Sequence, residues 1–216
     1  MLIESDDPPA VPLWINGHAY LTMAPEFFDV RDSAHDRVLR RTPLCAADVA
    51  DNALESARKA GAEWRALPEA DRRALCSQLA IELERYSEHF CHLIAEEARR
   101  SPADSSTEVA ATLALLREIG EARLDSGAAI LAIVASAGMA MLEPLRLAVP
   151  GLAAGAVVVL KTDPSEPSAL VALAELTGRC GFPPGVFNVV HGGEAMLQCF
   201  RDLPDVQFMF AQREDR

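Results

Sequence analysis

The sequence has little positive charge and no long apolar run. It carries 20 Lys and Arg residues against 32 Asp and Glu residues, for a formal net charge of -12. Binding to nucleic acid or to an anionic membrane surface requires basic patches, so this deficit predicts neither kind of partner. The uncharged stretch 127–142 is shorter than the ~20 apolar residues of a spanning helix. The first residues lack a basic region, so we expect no signal peptide and no membrane span.

Cysteine pairs with the spacing of a metal or redox motif are also missing. The five cysteines lie at irregular spacings and form no C-x-x-C pair. We interpret them as reduced thiols of a cytoplasmic protein. His89 and His92 share a face of a predicted helix, but a metal ion needs a third and a fourth ligand that the spacing does not supply. The sequence therefore predicts no metal site.

Two common catalytic and nucleotide-binding signatures are absent as well. No serine lies in a G-x-S-x-G turn, and the glycines that follow the apolar run 129–135 do not form G-x-G-x-x-G. The remaining residues show no pattern that pairs a nucleophile with a general base. We therefore predict no catalytic residue in this chain.

A large apolar fraction is what the sequence does contain. Half of its 216 residues are hydrophobic and 24% are charged, which is typical of a globular protein. A chain of this length hides roughly 70% of its surface on folding, enough for a core without disulfides. We predict a single domain over 1–216, with an irregular, strand-containing segment (1–45), a helical segment (46–126) and an α/β segment (127–216).

Apolar periodicity and turn residues predict the individual elements of the chain. The predicted strands are 13–17, 27–30, 37–43, 129–135, 156–160, 186–190 and 206–210. The predicted helices are 48–67, 70–100, 107–123, 139–152 (broken at Pro144 and Pro150), 167–180 and 194–201. In the last segment, strands that are apolar on both faces alternate with helices, which indicates βαβ units. The predicted fold class is α/β, a doubly wound, Rossmann-like parallel sheet preceded by a helical N-terminal segment with short strands.

A doubly wound sheet binds ligands at the carboxyl ends of its strands, where two residues are candidates. Lys161 ends a predicted strand, and it could pair with a phosphate or a ribose hydroxyl or be an ordinary solvated strand end. Gly192 lies in a tight turn before a predicted helix, and it could admit a phosphate or simply serve the turn. Both alternatives stay open for each residue.

Three segments of the sequence match a known family. They are Trp-Ile-Asn-Gly at 14–17, Val-Pro-Gly-Leu-Ala-Ala-Gly-Ala-Val-Val-Val-Leu-Lys at 149–161, and Gly-Phe-Pro-Pro-Gly-Val-Phe-Asn-Val-Val at 181–190. Together they resemble the aldehyde dehydrogenase superfamily, with similarity from about residue 13 to residue 210. The resemblance implies the N-terminal, NAD(P)-binding half of that fold. In the family a cysteine thiol attacks the aldehyde before hydride is transferred to the cofactor.

The chain departs from the family at the positions that carry its chemistry. The family's catalytic cysteine and general-base glutamate are expected outside these 216 residues. The asparagine that stabilises the oxyanion corresponds to Gly138, which has no side-chain donor, and losing such a donor lowers the rate by ~10²–10³. The family's K-P-S-E corresponds to 161–164, so Lys161 stays at the ribose while Pro164 replaces the ribose-binding carboxylate. The family's F-T-G-S corresponds to 210–213, which reads Phe-Ala-Gln-Arg.

These departures predict a catalytically silent module with a structural or interaction role. It would resemble the silent modules appended to large bifunctional proline-utilisation enzymes. Lys161 would then be vestigial, and the chain would bind no cofactor, or NAD(P) only weakly. The family's oligomerisation flap is reduced to 121–128, so we expect a partner to cover the strand at 206–210, either a second copy or another enzyme subunit. The alternatives are an NAD(P)-binding component of an aldehyde-oxidising oxidoreductase completed by another chain, and a truncated product without a selected role.

Overall fold

The computed structural model describes residues 7–32, 37–120, 128–201 and 203–212. Its strands are β1 (Leu13–Ile15), β2 (His18–Tyr20), β3 (Phe27–Arg31), β4 (Val38–Pro43), β5 (Ile130–Val134), β6 (Val157–Lys161), β7 (Phe187–Val190) and β8 (Val206–Phe210). Its helices are α1 (Ala47–Ala66), α2 (Glu69–Arg85), α3 (Ser87–Glu97), α4 (Pro102–Arg117), α5 (Leu142–Ala154), α6 (Ser168–Arg179) and α7 (Glu194–Gln198). Each strand predicted from the sequence is present, within a few residues at its ends.

The central sheet has the strand order β2-β1-β7-β6-β5-β8. Strands β7, β6, β5 and β8 are parallel, and β5, β6 and β7 are fully buried. Helices cover them, as strands that are apolar on both faces require. This arrangement confirms the predicted doubly wound α/β fold. Strand β8 differs because it lies at the edge and is only half-buried.

The β1–β2 hairpin extends the same sheet with two antiparallel strands. Asn16 and Gly17 both have positive φ, 54° and 75°, which is the backbone of a two-residue type I′ turn and explains the Asn-Gly pair. Asn188 of β7 accepts a hydrogen bond from the Asn16 backbone N–H at 3.1 Å, which fixes β1 beside β7. The sequence predicts the strand and its turn, but it does not place them in the central sheet.

Trp64 joins the helical segment to the sheet. Its side chain on α1 is fully buried, its Nε1–H donates to the Leu152 carbonyl at 3.1 Å, and its ring stacks on Phe182 with centroids 5.5 Å apart. Buried indole N–H groups are nearly always paired in this way. Through Trp64, helix α1 contacts the end of α5, and its other residues pack on β5, β6 and β7.

The single helix predicted over 70–100 is wrong, because two helices replace it. The backbone leaves helical geometry at Tyr86, with φ -110° and ψ 16°. Helix α2 contacts α4, α5 and α6, whereas α3 contacts α4, α6 and β3. The break therefore separates a helix that contacts α5 from one that contacts β3, while the apolar periodicity continues through it. The Tyr86 hydroxyl accepts a hydrogen bond from Arg179 at 3.0 Å at this turn.

Two other helix predictions need correction. Helix α4 begins at Pro102, earlier than predicted, because Ser101 caps it by accepting the Asp104 N–H at 3.1 Å. Helix α4 also ends earlier than predicted, at Arg117 rather than 123, and residues 118–120 are not helical; positions 121–123 lie outside the described residues. Neither Pro144 nor Pro150 breaks α5, which runs from Leu142 to Ala154 and ends at Gly155 with φ +100°.

Candidate functional site at the carboxyl edge of the sheet

The candidate site lies where the winding of the sheet reverses. From β5 the chain adds β6 and β7 on one side and then returns to place β8 on the other. Ligands of doubly wound folds bind outside the carboxyl ends of the strands at such a switch point. Here that edge is formed by the loop 135–141 after β5 and by residues 211–212 after β8. Ser136, Ala137 and Gln212 are exposed at this edge.

Gly138 occupies the centre of the loop 135–141 and is held at both of its backbone groups. Its N–H donates to Glu166 Oε1 at 2.8 Å, and its carbonyl accepts a hydrogen bond from Arg100. Its φ is +82°, a conformation that glycine adopts without strain and that side-chain-bearing residues rarely adopt. The backbone conformation at position 138 therefore favours glycine. A glycine at this position supplies no side-chain donor.

Glu108 caps the helix that follows this loop. Its Oε1 accepts the N–H groups of Met141 and Leu142, both at 3.0 Å, and its carboxylate forms a buried ion pair with Arg100. Unpaired N–H groups and the helix dipole make a helix N-terminus favourable for an anion. In this protein the anion at the N-terminus of α5 is a side chain of the chain itself.

Lys161 ends β6 with its side chain almost entirely buried. Its Nζ donates to the carbonyl of the next residue, Thr162, at 3.0 Å. Burial lowers the pKa of the Lys161 amine, against the smaller raising effect of Asp163 and Glu194. The amine thus lies at the strand end that the sequence predicts, and its vestigial role stays a prediction.

The turn after β6 directs the Glu166 carboxylate to the backbone of the loop 135–141. The Pro164 carbonyl accepts a hydrogen bond from the Thr42 hydroxyl at 2.7 Å. Asp163 Oδ1 accepts the Ser165 N–H at 2.9 Å and so closes the turn. Glu166 follows and points inward to Gly138. The position that carries the family's ribose-binding carboxylate by resemblance is therefore a proline tied to β4.

Gly192 lies in a crowded turn between β7 and α7. A Cβ at this position would stand 2.7 Å from Met196 Sδ and 3.0 Å from the Cys45 carbonyl oxygen. A β-bridge also joins Gly192 to Cys45. This close approach accounts for a glycine here without a ligand, and a role in phosphate binding stays a prediction.

His191 is a buried residue that the sequence did not single out. Its Nε2 lies 2.9 Å from the Pro12 carbonyl oxygen, so it carries the proton and donates it. Its Nδ1 accepts from the Thr162 hydroxyl at 2.7 Å. Burial lowers the pKa of His191 to about 4, so the ring is neutral near pH 7. It ties the ends of β6 and β7 to the segment before β1.

All five cysteines are free thiols with a raised pKa. Burial is the main cause in each case, and it raises the pKa of Cys45 and Cys180 to about 11 and that of Cys76 to about 12. The pKa values of Cys91 and Cys199 are raised in the same direction. The thiolate is the nucleophilic form of cysteine. None of these thiols is therefore activated at neutral pH.

Metal-ligand clusters and membrane-spanning helices are both absent from the described residues. Over 7–32, 37–120, 128–201 and 203–212, no three His, Cys, Asp or Glu side chains are grouped so that they could hold a metal ion. Within the same ranges, no helix combines the length and the apolar character needed to cross a membrane.

Comparisons with known proteins agree with this architecture. The model of the aldehyde dehydrogenase family matches residues 20–211. A probable methylmalonate-semialdehyde/malonate-semialdehyde dehydrogenase of Drosophila pseudoobscura pseudoobscura is 27% identical, over 92% of this chain and 42% of the relative. Malonate-semialdehyde dehydrogenase 1 of Geobacillus kaustophilus is 26% identical, over 96% of this chain and 46% of the relative.

A solved structure shows the same fold. The crystal structure of lactaldehyde dehydrogenase from Escherichia coli superposes with a TM-score of 0.82 at 24% identity, over 94% of this chain and 47% of the other. This chain thus spans somewhat less than half the length of the relatives it matches. The family model covers most of the sequence, and the chain belongs to the aldehyde dehydrogenase family.

Proposed function

We propose that this chain is a catalytically silent aldehyde-dehydrogenase-like module with a structural or interaction role. The observation that carries the proposal is the state of its thiols. Family members attack the aldehyde with a cysteine, and here burial raises the pKa of every cysteine. A reactive cysteine instead needs a lowered pKa and a nearby positive charge or helix N-terminus. No residue of this chain is therefore assigned a catalytic role.

The loop that would stabilise an oxyanion supports the same proposal. Gly138 offers no side-chain amide, and its backbone N–H already donates to Glu166. The N-terminus of α5 is occupied by Glu108. An oxyanion hole needs donors that are free and aimed at the developing charge. Here the N–H groups of Gly138, Met141 and Leu142 are bound by carboxylates of the protein itself.

The residues at the carboxyl edge of the sheet fit a dinucleotide poorly. Glu166 faces Gly138, the Pro164 carbonyl is tied to Thr42, and the Lys161 amine is buried against its own backbone. A ribose-binding carboxylate contributes charge-assisted hydrogen bonds of ~1.5–3 kcal/mol each. Losing it together with the pyrophosphate contacts would weaken a micromolar site to roughly millimolar. We propose that the chain holds no NAD(P) under ordinary conditions.

The second candidate function is an NAD(P)-binding component that another chain completes. One observation favours it, namely that Lys161 lies at the carboxyl end of β6 beside an exposed loop at the switch point. A purified-protein assay separates the two candidates. We expect no cofactor-dependent rise in melting temperature at micromolar NAD or NADP, and no turnover of a panel of aldehydes. Turnover that is lost on replacing one cysteine by serine would contradict the silent module, whereas a cofactor-dependent thermal shift alone would support the second candidate.

The surface proposed for interaction is the outer edge of β8. This strand pairs only with β5 in the described part of the chain, and Phe210 is 42% exposed. Phe208 and Phe210 pack edge to face at 5.1 Å, and the Arg201 guanidinium lies 5.3 Å from the Phe208 ring centroid. Bare strand edges with apolar side chains invite pairing with another strand. The proposed partner is a second copy in a two-fold dimer, or another enzyme subunit.

Light scattering of the purified chain should report a species larger than the 23.3 kDa monomer. A Phe210→Lys substitution should weaken self-association at least about tenfold, since charges on an edge strand oppose pairing. Tyr20→Lys is the matched control, because Tyr20 is an exposed aromatic on β2 at the opposite edge of the sheet. A monomer at all concentrations would remove the second copy as the partner, as would equal effects of both substitutions.

The location of the protein, its organisation as a single domain and the kind of partner it binds are also proposals. Five free thiols fit a reducing compartment, and we place the protein in the cytoplasm on that basis. One apolar core contains residues from Val11 to Ala211, which supports a single domain over 1–216. Its acidic surface, with a net charge of -12, favours a protein partner over nucleic acid.

A further inference from the structure

Hydrogen bonds at the two ends of β8 establish which of its backbone groups face β5. The Asp205 carbonyl accepts the Ile130 N–H at 3.1 Å. At the other end of the strand, the Ala211 N–H donates to the Val134 carbonyl at 2.9 Å. Because successive residues of a strand direct their N–H and C=O groups to opposite sides, the odd-numbered residues of 205–211 face β5. The residues whose backbone groups face the outer edge are Val206, Phe208 and Phe210.

Most of these outward groups are available to a further strand. In the described part of the chain, β8 has a neighbouring strand only on the β5 side. The Val206 N–H donates to the Leu203 carbonyl at 3.1 Å and closes the turn before the strand. The Val206 carbonyl and both backbone groups of Phe208 and Phe210 therefore offer a row of donors and acceptors to an incoming strand.

The same edge lacks charged side chains. The stretch 206–212 contains no Asp, Glu, Lys or Arg. Asp205 comes directly before it, and Arg58 neutralises this carboxylate at 2.7 Å. A chain with a formal net charge of -12 repels its own copies, but screening makes that repulsion weak where the facing surfaces are neutral. The edge of β8 is therefore the kind of surface that a second copy of this acidic chain can approach.

One register pairs the whole strand with its own copy. Building on the interaction role proposed above for β8, we propose that it pairs antiparallel with β8 of a second copy, with Phe208 on the two-fold axis. Phe208 then exchanges a pair of hydrogen bonds with Phe208 of the partner subunit, and each Phe210 N–H donates to the Val206 carbonyl of the other chain. Other antiparallel registers leave part of the strand unpaired or bring in Pro204, which has no N–H.

The side chains of β8 fit the same register. Val206, Phe208 and Phe210 lie on one face of the strand, where the two aromatic rings pack 5.1 Å apart. Pairing about Phe208 places this ring beside its copy and Phe210 beside Val206 of the partner subunit, and such aromatic and β-branched pairs stabilise antiparallel strands. A five-residue strand buries less than the ~800 Å² per partner of a standard interface. We therefore expect a dimer that dissociates on dilution.

Disulfide trapping tests the register. Pairing about Phe208 places Gln207 opposite Met209 of the partner subunit in a non-hydrogen-bonded pair, with Cα atoms ~4.5 Å apart, a separation that a disulfide spans. Gln207→Cys and Met209→Cys proteins are mixed in equal amounts with oxidised glutathione, which accepts the electrons of the two thiols and is reduced. Since random pairing makes about half of all dimers mixed, we expect up to about half of the chains to become covalent dimers.

Each variant by itself is the matched control, because its new thiol then faces a side chain without a thiol. The unmodified protein measures any crosslinking by the five native thiols. A mixture that crosslinks no more than either variant alone would overturn the register. Light scattering of the same samples separates two failures. A dimer without the disulfide would contradict the register and leave the interaction role of β8 intact, whereas a monomer at all concentrations would contradict pairing with a second copy altogether.

Discussion

Replacing Arg100 by methionine should lower the free energy of unfolding by about 3–5 kcal/mol, the usual consequence of removing one partner of a buried ion pair. Arg100 pairs with Glu108, whose side chain is 5% exposed, and also donates to the Gly138 carbonyl. Methionine fills much of the same volume, but it leaves the Glu108 charge buried without compensation. Equilibrium urea denaturation followed by circular dichroism measures the loss.

Two further variants separate the charge effect from a loss of packing. The double variant Arg100→Met/Glu108→Gln removes both charges and keeps an oxygen that accepts the Met141 and Leu142 N–H groups, so it should recover most of the lost stability. Arg117→Met breaks the exposed pair with Glu84 and should change stability by only about 0–1 kcal/mol. If Arg100→Met lowered the free energy of unfolding no more than Arg117→Met does, burial would not strengthen the Arg100–Glu108 ion pair, and the prediction would be wrong.

Local chemistry made much of the fold predictable. Asn16-Gly17 predicted its turn because few other pairs adopt two successive positive φ angles, and the structure has both. The apolar strands 129–135 and 156–160 predicted a parallel sheet because residues without a polar face must be covered on both sides. In each case the deciding interaction lies within a few residues of the chain.

Features that depend on distant partners were not predictable in this way. The turn at Tyr86 depends on which helices α2 and α3 meet, and no glycine or proline marks it. The Gly138 contacts depend on Arg100 and Glu166, which are far away in the sequence and match no motif. A signal was nevertheless present, since a glutamate at 108 falls among the apolar positions of a helix, where an unpaired charge would be unfavourable.

The contacts of Glu166 connect the proposed function with the structure of the loop. Resemblance to the family places a ribose-binding carboxylate near this turn, and the sequence has Pro164 at that position. The nearby carboxylate, Glu166, binds Gly138 instead, where the family has its oxyanion-stabilising asparagine. By that resemblance, one hydrogen bond joins the turn near the ribose position to the position of the oxyanion-stabilising side chain. The loss of both functions is part of the proposed silent module.

Replacing Trp64 by alanine should lower the free energy of unfolding by about 3–5 kcal/mol, as for other fully buried aromatic residues. The indole ring stacks on Phe182, and its N–H donates to the Leu152 carbonyl, so it ties α1 to the α/β segment. The remaining tryptophan, Trp14 on β1, reports unfolding of the sheet by fluorescence, while circular dichroism reports the helices.

Coincident transitions by these two probes, both displaced by the same amount, are expected if 1–216 is one cooperative domain. The control Trp64→Phe retains an aromatic ring against Phe182 and loses the indole N–H, which leaves the Leu152 carbonyl without that donor and should cost about 1–3 kcal/mol. Two separated transitions in Trp64→Ala, with the sheet unaffected, would show that the helical segment unfolds independently. The single-domain proposal would then be wrong, because the contacts of Trp64 would join two units that are each stable without them.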